Sequence, residues 1–306
     1  MLRKPHRGRN ANSDGRGLAS QAEPPAGSVP TWVTLTSLLR IVSRNYLAHI
    51  RDVIKTKRTR DRERVFVLEG TKPIIELLRS APHRFVCVIV APGFLEHQPD
   101  DIKTLFTDSR VTLYGCPEET LAQLSQVETS GGALAIVHQP TWDQAAIVAQ
   151  PRILGLYGDM LQDPANIGTI IRTAAGFDVS ALWMAPHSVD VFNPKVVRGT
   201  AGTLFQLPIF SQISVEQLLE LGCTIMAADV EASGGTVPIR SIRTLPARTI
   251  VAIGSESRGL SEALLQAATV RFTIPLKSEV ESLNAATAAA IALFHFSGLP
   301  VAASHS

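Results

Sequence analysis

The sequence predicts an α/β protein: a C-terminal domain built on a largely parallel sheet, preceded by a smaller α/β domain. Three observations lead there. Short apolar runs recur through the second half at 153–157, 181–184, 224–228, 250–253 and 271–274, with helical patterns between most of them. These runs are apolar at successive positions instead of alternating, as strands covered on both faces are. The first half also alternates, with strand patterns at 65–68, 85–90, 111–114 and 133–137.

A chain of 306 residues that is 45% hydrophobic and 18% charged has room for two domains and can bury a sizeable core. No apolar run reaches the roughly 18–20 residues that cross a membrane, and the first thirty residues hold no apolar core of a secretory signal. Cys87, Cys116 and Cys223 are far apart and form no CxxC pair, so buried packing in a reducing, cytoplasmic setting is expected, with no metal. The net charge of +2 conceals an asymmetry: residues 1–64 hold 14 Lys/Arg against 5 Asp/Glu, the remainder 15 against 22. A basic front end suits a polyanion; a solvated basic tail without a partner is the plainer reading.

Residues 1–31, rich in Gly, Pro, Ser, Arg and Asn, read as a disordered basic tail, with a mitochondrial transit peptide as the other reading. Folded structure is expected from Trp32, giving a first domain over 32–138, a polar linker over 139–150 and a second domain over 151–306. Leu35, Leu38, Leu39, Val42, Tyr46, Ile50 and Ile54 fall at helical spacing over 35–58. The basic cluster Lys55, Lys57, Arg58, Arg60, Arg62 and Arg64 follows, then the strand at 65–68 and a helix from Gly70 through Leu78.

Three blocks of the second half carry chemistry, each at the end of an apolar strand. Beyond Tyr157-Gly158-Asp159, a helix is expected near Asn166, with Ile167, Ile170, Ile171 and Ala174 on its buried face and Gly176 at its end. Asn166 is a candidate cap, and Arg172 lies about 9 Å further along the axis. The strand at 249–253 runs into Gly254-Ser255-Glu256-Ser257-Arg258-Gly259-Leu260-Ser261, where glycine admits a ligand close to the backbone and Ser261 is a candidate cap. This is neither a P-loop nor a GxGxxG fingerprint. The third block ends a strand at Ile274-Pro275-Leu276 and reaches Ser282-Leu283-Asn284 at the start of the last, Ala-rich helix, whose free amides suit an anion. Taken singly, each block also fits a plain capped helix or tight turn.

Together, in this order, the blocks resemble the SpoU/TrmH branch of the SPOUT RNA methyltransferases. The family's N-x-G-x-I-x-R corresponds to Asn166, Gly168, Ile170 and Arg172, its G-x-E-x-x-G to Gly254, Glu256 and Gly259, and its I-P…S-L-N to Ile274, Pro275, Ser282, Leu283 and Asn284. Arg198-Gly-Thr200-Ala-Gly202 is similar to its R-x-S-x-G stretch, with Thr200 where Ser is usual. Ser43-Arg44-Asn45, the basic cluster and 65–70 resemble, more loosely, the family's ribosomal-protein-like substrate-binding domain.

The resemblance implies a deep C-terminal knot, a homodimer and transfer of a methyl group from S-adenosylmethionine to a ribose 2′-hydroxyl in RNA. It implies that Gly254, Ile274, Leu276 and Leu283 bind the cofactor. Arg172, Asn166, Glu256, Ser282 and Asn284 would surround the reacting centre, with Arg172 beside the partner's cofactor. Arg172 is expected to hold the phosphate next to the target ribose, because a guanidinium seldom gives up its proton; the family assigns it the role of base as well. The basic cluster, together with Arg198, is expected to grip RNA without regard to sequence. Ribosomal RNA is the favoured substrate, because an extra front domain gives a second handle on a large folded target. Transfer RNA, an inactive RNA-binding protein and a Rossmann-type nucleotide enzyme are the alternatives.

Overall fold

The computed structural model describes residues 39–125, 131–229, 235–277 and 279–302. The expected basic tail and the entry of the first helix at Leu35 and Leu38 lie outside the described residues. The first half runs β1 (Arg40–Ile41), α1 (Arg44–Lys55), α2 (Lys57–Glu63), β2 (Val65–Glu69), α3 (Thr71–Ser80), β3 (Phe85–Val90), α4 (Pro92–Glu96), α5 (Asp100–Asp108), β4 (Leu113–Gly115), α6 (Glu118–Leu124) and β5 (Ala133–His138). After α7 (Gln144–Val148) come β6 (Ile153–Gly158), α8 (Pro164–Gly176), β7 (Ala181–Met184), α9 (Pro194–Gly199), β8 (Ile209–Ser211), α10 (Val215–Glu220), β9 (Thr224–Ala228), β10 (Thr236–Pro238), β11 (Arg248–Ile253), α11 (Glu262–Ala267), β12 (Val270–Thr273) and α12 (Ala285–Ser297).

The small sheet has the order β1-β4-β3-β5-β2, parallel through β1, β4 and β3 and antiparallel at β5. The large sheet, β10-β12-β9-β11-β6-β7-β8, is parallel throughout. Its middle strands are apolar at successive positions, and Leu156, Tyr157, Leu182, Trp183, Val251 and Ala252 are all at most 1% exposed. In sequence order the chain lays down β6, β7 and β8, crosses to β9 and β10, then inserts β11 between β6 and β9 and β12 between β9 and β10. These late insertions bring the carboxyl ends of β9, β11 and β12 together, the side of a parallel sheet where ligands bind.

The single helix expected over 35–58 is in fact two helices after a short edge strand. Ser43 starts α1 by accepting the Tyr46 amide on its hydroxyl at 3.2 Å, a capping bond that fixes the boundary. Thr56 leaves helical geometry (φ −114°, ψ 111°) and separates α1 from α2. The linker contains a helical turn, α7, started by Asp143 and anchored by buried Ile147.

Arg60 does not belong to the RNA-facing cluster expected from the sequence. It is 3% exposed and donates to Asp190 Oδ2 through Nε (2.9 Å) and Nη2 (2.6 Å), and through Nη1 to the carbonyls of Val53 and Ile54 (2.7 and 2.9 Å). Those carbonyls lack partners at the end of α1, so one guanidinium caps a helix and ties the first half to the second. Around it, Phe66 of β2 packs against Phe192 (5.1 Å between ring centres) and Phe205 (5.7 Å), joining the two sheets in one continuous apolar cluster.

Candidate active site

The first motif begins with a capped helix. Asp163 accepts the Ala165 amide at 2.9 Å and Pro164 occupies the first turn, so Asp163, not Asn166, caps α8. Ile167, Ile170, Ile171 and Ala174 are fully buried, and the helix ends at Gly176, as the spacing predicts. Gly168 has a packing role: a Cβ there would lie 2.7 Å from Gly199 Cα, so α8 and α9 meet backbone to backbone. Thr200, in the place of the family's Ser, is buried and donates its hydroxyl to the Val197 carbonyl at 2.6 Å.

Relieved of capping, Asn166 is 5% exposed and lies between two other motif residues. Asn284 caps α12: its Oδ1 accepts the amides of Ala286 (3.0 Å) and Thr287 (3.2 Å). That leaves Asn284 Nδ2 to donate to Asn166 Oδ1 at 2.8 Å, and Asn166 Nδ2 to donate to Glu256 Oε1. The helix amides thus fix the direction of the whole chain, because every donor and acceptor in it follows from the first assignment. It ends on a carboxylate oxygen of Glu256, an exposed residue of the loop.

Gly254 and Gly259 close the second motif into a tight loop. Ser255 and Gly259 exchange backbone hydrogen bonds of 3.0 and 2.9 Å, and Gly259 takes a left-handed φ of +65°. A Cβ on Gly254 would collide with the backbone of Gly259 and Leu260. Glycine at this position therefore permits the loop to fold on itself, and close approach of a ligand is not its first use. Ser261 makes no side-chain cap; its amide donates to the buried Asp159 at 2.7 Å, which ties this loop to the end of β6.

Beside this loop lies a cavity of about 490 Å³. Its walls include Gly254, Ile274, Leu276 and Leu283, all four residues expected to hold a cofactor, and also Glu256 and Ser282. Ile253, Leu265 and Phe272 supply apolar surface; the cavity's size and mixed lining match a small-molecule site. Asp229, at the end of β9, also lines it and was missed in the sequence, although a polar residue closing an apolar run is the same signal the other blocks gave.

Arg172 does not line the cavity. It is exposed and makes no hydrogen bond or ion pair among the described residues. In the basic cluster, Lys57 pairs with Asp61 and Arg62 with Glu63 at the surface, where such pairs contribute little. Lys55, Arg58 and Arg64 are exposed and make no ion pair among the described residues; Arg198 is exposed too. Burial pushes the Cys87 thiol up, with the Tyr46 hydroxyl 3.2 Å away, and the Cys116 and Cys223 thiols are pushed up for the same reason. No helix of the described residues is long and apolar enough to cross a membrane, and they contain no His/Cys/Asp/Glu group suited to a metal.

Residues 154–294 match the SpoU rRNA methylase family, and residues 49–135 match the MRM3-like substrate binding domain. A tRNA/rRNA methyltransferase of Synechocystis, itself described as uncharacterized, is 33% identical over 80% of this chain and 88% of its own length. The chain belongs to the SpoU methylase family. The 23S rRNA (guanosine(2553)-2′-O)-methyltransferase RlmP of Bacillus subtilis is 27% identical over 80% of this chain and 93% of its own. The AviRb SpoU methyltransferase from Streptomyces viridochromogenes, solved with AdoMet, shares the fold with a TM-score of 0.73 at 24% identity, over 83% of this chain and 97% of that one.

Proposed function

We propose that this protein transfers a methyl group from S-adenosylmethionine to a ribose 2′-hydroxyl of RNA, with large-subunit ribosomal RNA as substrate, in the cytoplasm. One observation carries the reading above all: the hydrogen-bond chain from the α12 amides through Asn284 and Asn166 to Glu256, held at the rim of the 490 Å³ cavity. The RlmP relative, named for 2′-O-methylation of 23S rRNA, supports the substrate class.

The cofactor fits the cavity. Leu276, Leu283 and Ile274 offer apolar surface for an adenine, the Gly254–Gly259 loop offers backbone groups, and Asp229 and Glu256 offer carboxylates to a cation and to hydroxyls. When bound, the cofactor supplies a methyl group already activated as a sulfonium. The chain's own residues must then align the hydroxyl, keep water out and manage one proton. Asn166 and Asn284 each keep one amide hydrogen beyond the relay, enough to hold a ribose oxygen. Glu256 anchors the relay and offers its second oxygen to a hydroxyl proton. Ser282, exposed on the cavity wall, adds a further hydrogen-bonding group.

The active unit in this reading is a homodimer. The last helix is apolar on nearly all sides, which normally means burial, yet Phe294 is 72% and Ile291 37% exposed. The two lie on one face at i, i+3 spacing, and Phe294 meets Phe177, the residue that ends α8, at 6.2 Å. A second copy covering this face by two-fold symmetry would place α8 at the interface, with Arg172 five residues, about one and a half turns, before Phe177 and near the partner. That explains an arginine absent from the cavity of its own chain. Residues 151–306 would then form the catalytic domain, within which the late insertion of β11 and β12 supports the deep knot. Residues 32–138 would present Lys55, Lys57, Arg58, Arg62 and Arg64 to phosphates, with Arg198 of the second domain adding a further cation. Labelled S-adenosylmethionine with ribosomal and transfer RNA tests the reading: label on neither, with no cofactor binding, would leave an inactive RNA-binding protein.

A further inference from the structure

A second cavity, of about 380 Å³, lies where the two halves of the chain meet. One wall is the end of the basic segment, Lys57, Asp61 and Arg64; another is Trp142; the floor is the carboxyl end of β7 and β8 with Ser188 and Gln212. Three features mark it as more than a packing gap. Ser188 Oγ is the one buried side-chain polar atom without a hydrogen-bond partner among the described residues, and such a group carries a desolvation cost until something pairs with it. Trp142 is partly exposed, lines the cavity and stacks on no other ring among the described residues. Arg64 and Gln212 in the walls, and His187 next to Ser188, hold left-handed φ of 55°, 64° and 65° without being glycine. Strain of this kind gathers at ligand sites.

The charges select the ligand. Lys57 is paired with Asp61, and Asp190 with buried Arg60, which leaves Arg64 as the wall's cation without an ion pair among the described residues. An aromatic face, a lone hydroxyl and a free guanidinium within a volume of this size match a base and its phosphate. The location agrees. β11, which ends at the cofactor cavity, and β7, which ends here, are separated by β6 alone. Two strand spacings, about 10 Å, separate these nearest bounding strands along one sheet edge.

We propose that this pocket holds an unpaired nucleotide of the RNA substrate near the methylated one, its base stacked on Trp142 and hydrogen-bonded by Ser188 Oγ, its phosphate on Arg64. The pocket is thereby a specificity-determining site, and it rests on the RNA-methyltransferase reading above.

The test is steady-state methylation of ribosomal RNA purified from cells lacking this gene, with cofactor affinity and thermal melting measured on the same preparations. Wild-type protein that binds the cofactor and methylates RNA secures the underlying reading; wild type that does neither ends both. Given an active wild type, Trp142→Ala should raise KM for RNA by about 10- to 100-fold, from the loss of one base–aromatic stack. The kcat and the cofactor affinity should stay within about twofold. Trp142→Phe, which keeps a ring, should recover most of the loss, and Ser188→Ala should raise KM a few-fold. An unchanged KM in both Trp142→Ala and Ser188→Ala overturns the proposal. So does an equal loss in the Ala and Phe variants that tracks a drop in melting temperature, which would assign Trp142 to packing. Should Trp142→Ala not fold, Ser188→Ala and Arg64→Ala decide by the same KM criterion.

Discussion

Asn284 performs two tasks with two ends of one amide. Its oxygen caps α12, and its nitrogen donates to Asn166. Replacing it with Asp keeps the cap acceptor and removes the donor, so the tasks separate. Asn284→Asp should change unfolding stability in urea by less than about 1 kcal/mol. Methyl transfer should fall about 30-fold, the kinetic equivalent of about 2 kcal/mol of broken hydrogen bonding. A stability loss that accounts for the whole activity loss would mean that the relay has no role beyond the cap. At this scale the sequence was partly legible. The motif residues Asn166, Glu256 and Asn284 could be named from spacing and resemblance, and the four apolar or small residues expected to bind a cofactor do share one cavity. Which polar residue caps which helix was not legible, because Asp163 and Asn166, or Ser282 and Asn284, are equally good caps by type. Only the backbone geometry distinguishes them.

The elements are held by two contacts of different physics. Gly168 lets α8 rest on α9 with no side chain between them, and Arg60 ties α1 and α2 to the second half through Asp190. Gly168→Ala forces backbone from backbone, a strain that should lower stability by about 1–3 kcal/mol in denaturant titration. Arg60→Ala leaves Asp190 and two helix carbonyls without their partner and should cost about 3–5 kcal/mol. Arg58→Ala, two residues away on the exposed side, should leave stability unchanged and lower the salt dependence of RNA binding by about one phosphate contact. The basic run in the sequence could not separate these roles, since burial depends on Asp190, 130 positions away. Long apolar strands were visible for the same reason that they are central: β6, β7, β9 and β11 are covered on both faces. The strands that went unseen, β1, β8 and β10, are edge strands of two or three residues with too few positions to set a period.

For the whole molecule, the proposed homodimer has two equivalent reacting centres, each completed by the other copy. Phe294→Asp puts a charge in the middle of the apolar α12 face. It should convert the protein to a monomer in sedimentation velocity and abolish methylation while cofactor binding persists, since the cavity is built within one chain. A monomeric variant with full activity would remove the partner from the mechanism. The parallel sheet was legible from composition and run length; the insertion of its last strands was not, because strand order is absent from any local pattern. The most direct measurement of the central claim is methyl transfer from labelled S-adenosylmethionine to ribosomal and transfer RNA from cells lacking this gene, with Arg172→Ala alongside. The account predicts label on ribosomal RNA at one ribose, resistant to alkaline cleavage there, and lost in Arg172→Ala although that variant still binds cofactor. Label that Arg172→Ala retains in full, or label on a base in place of a ribose, would contradict it.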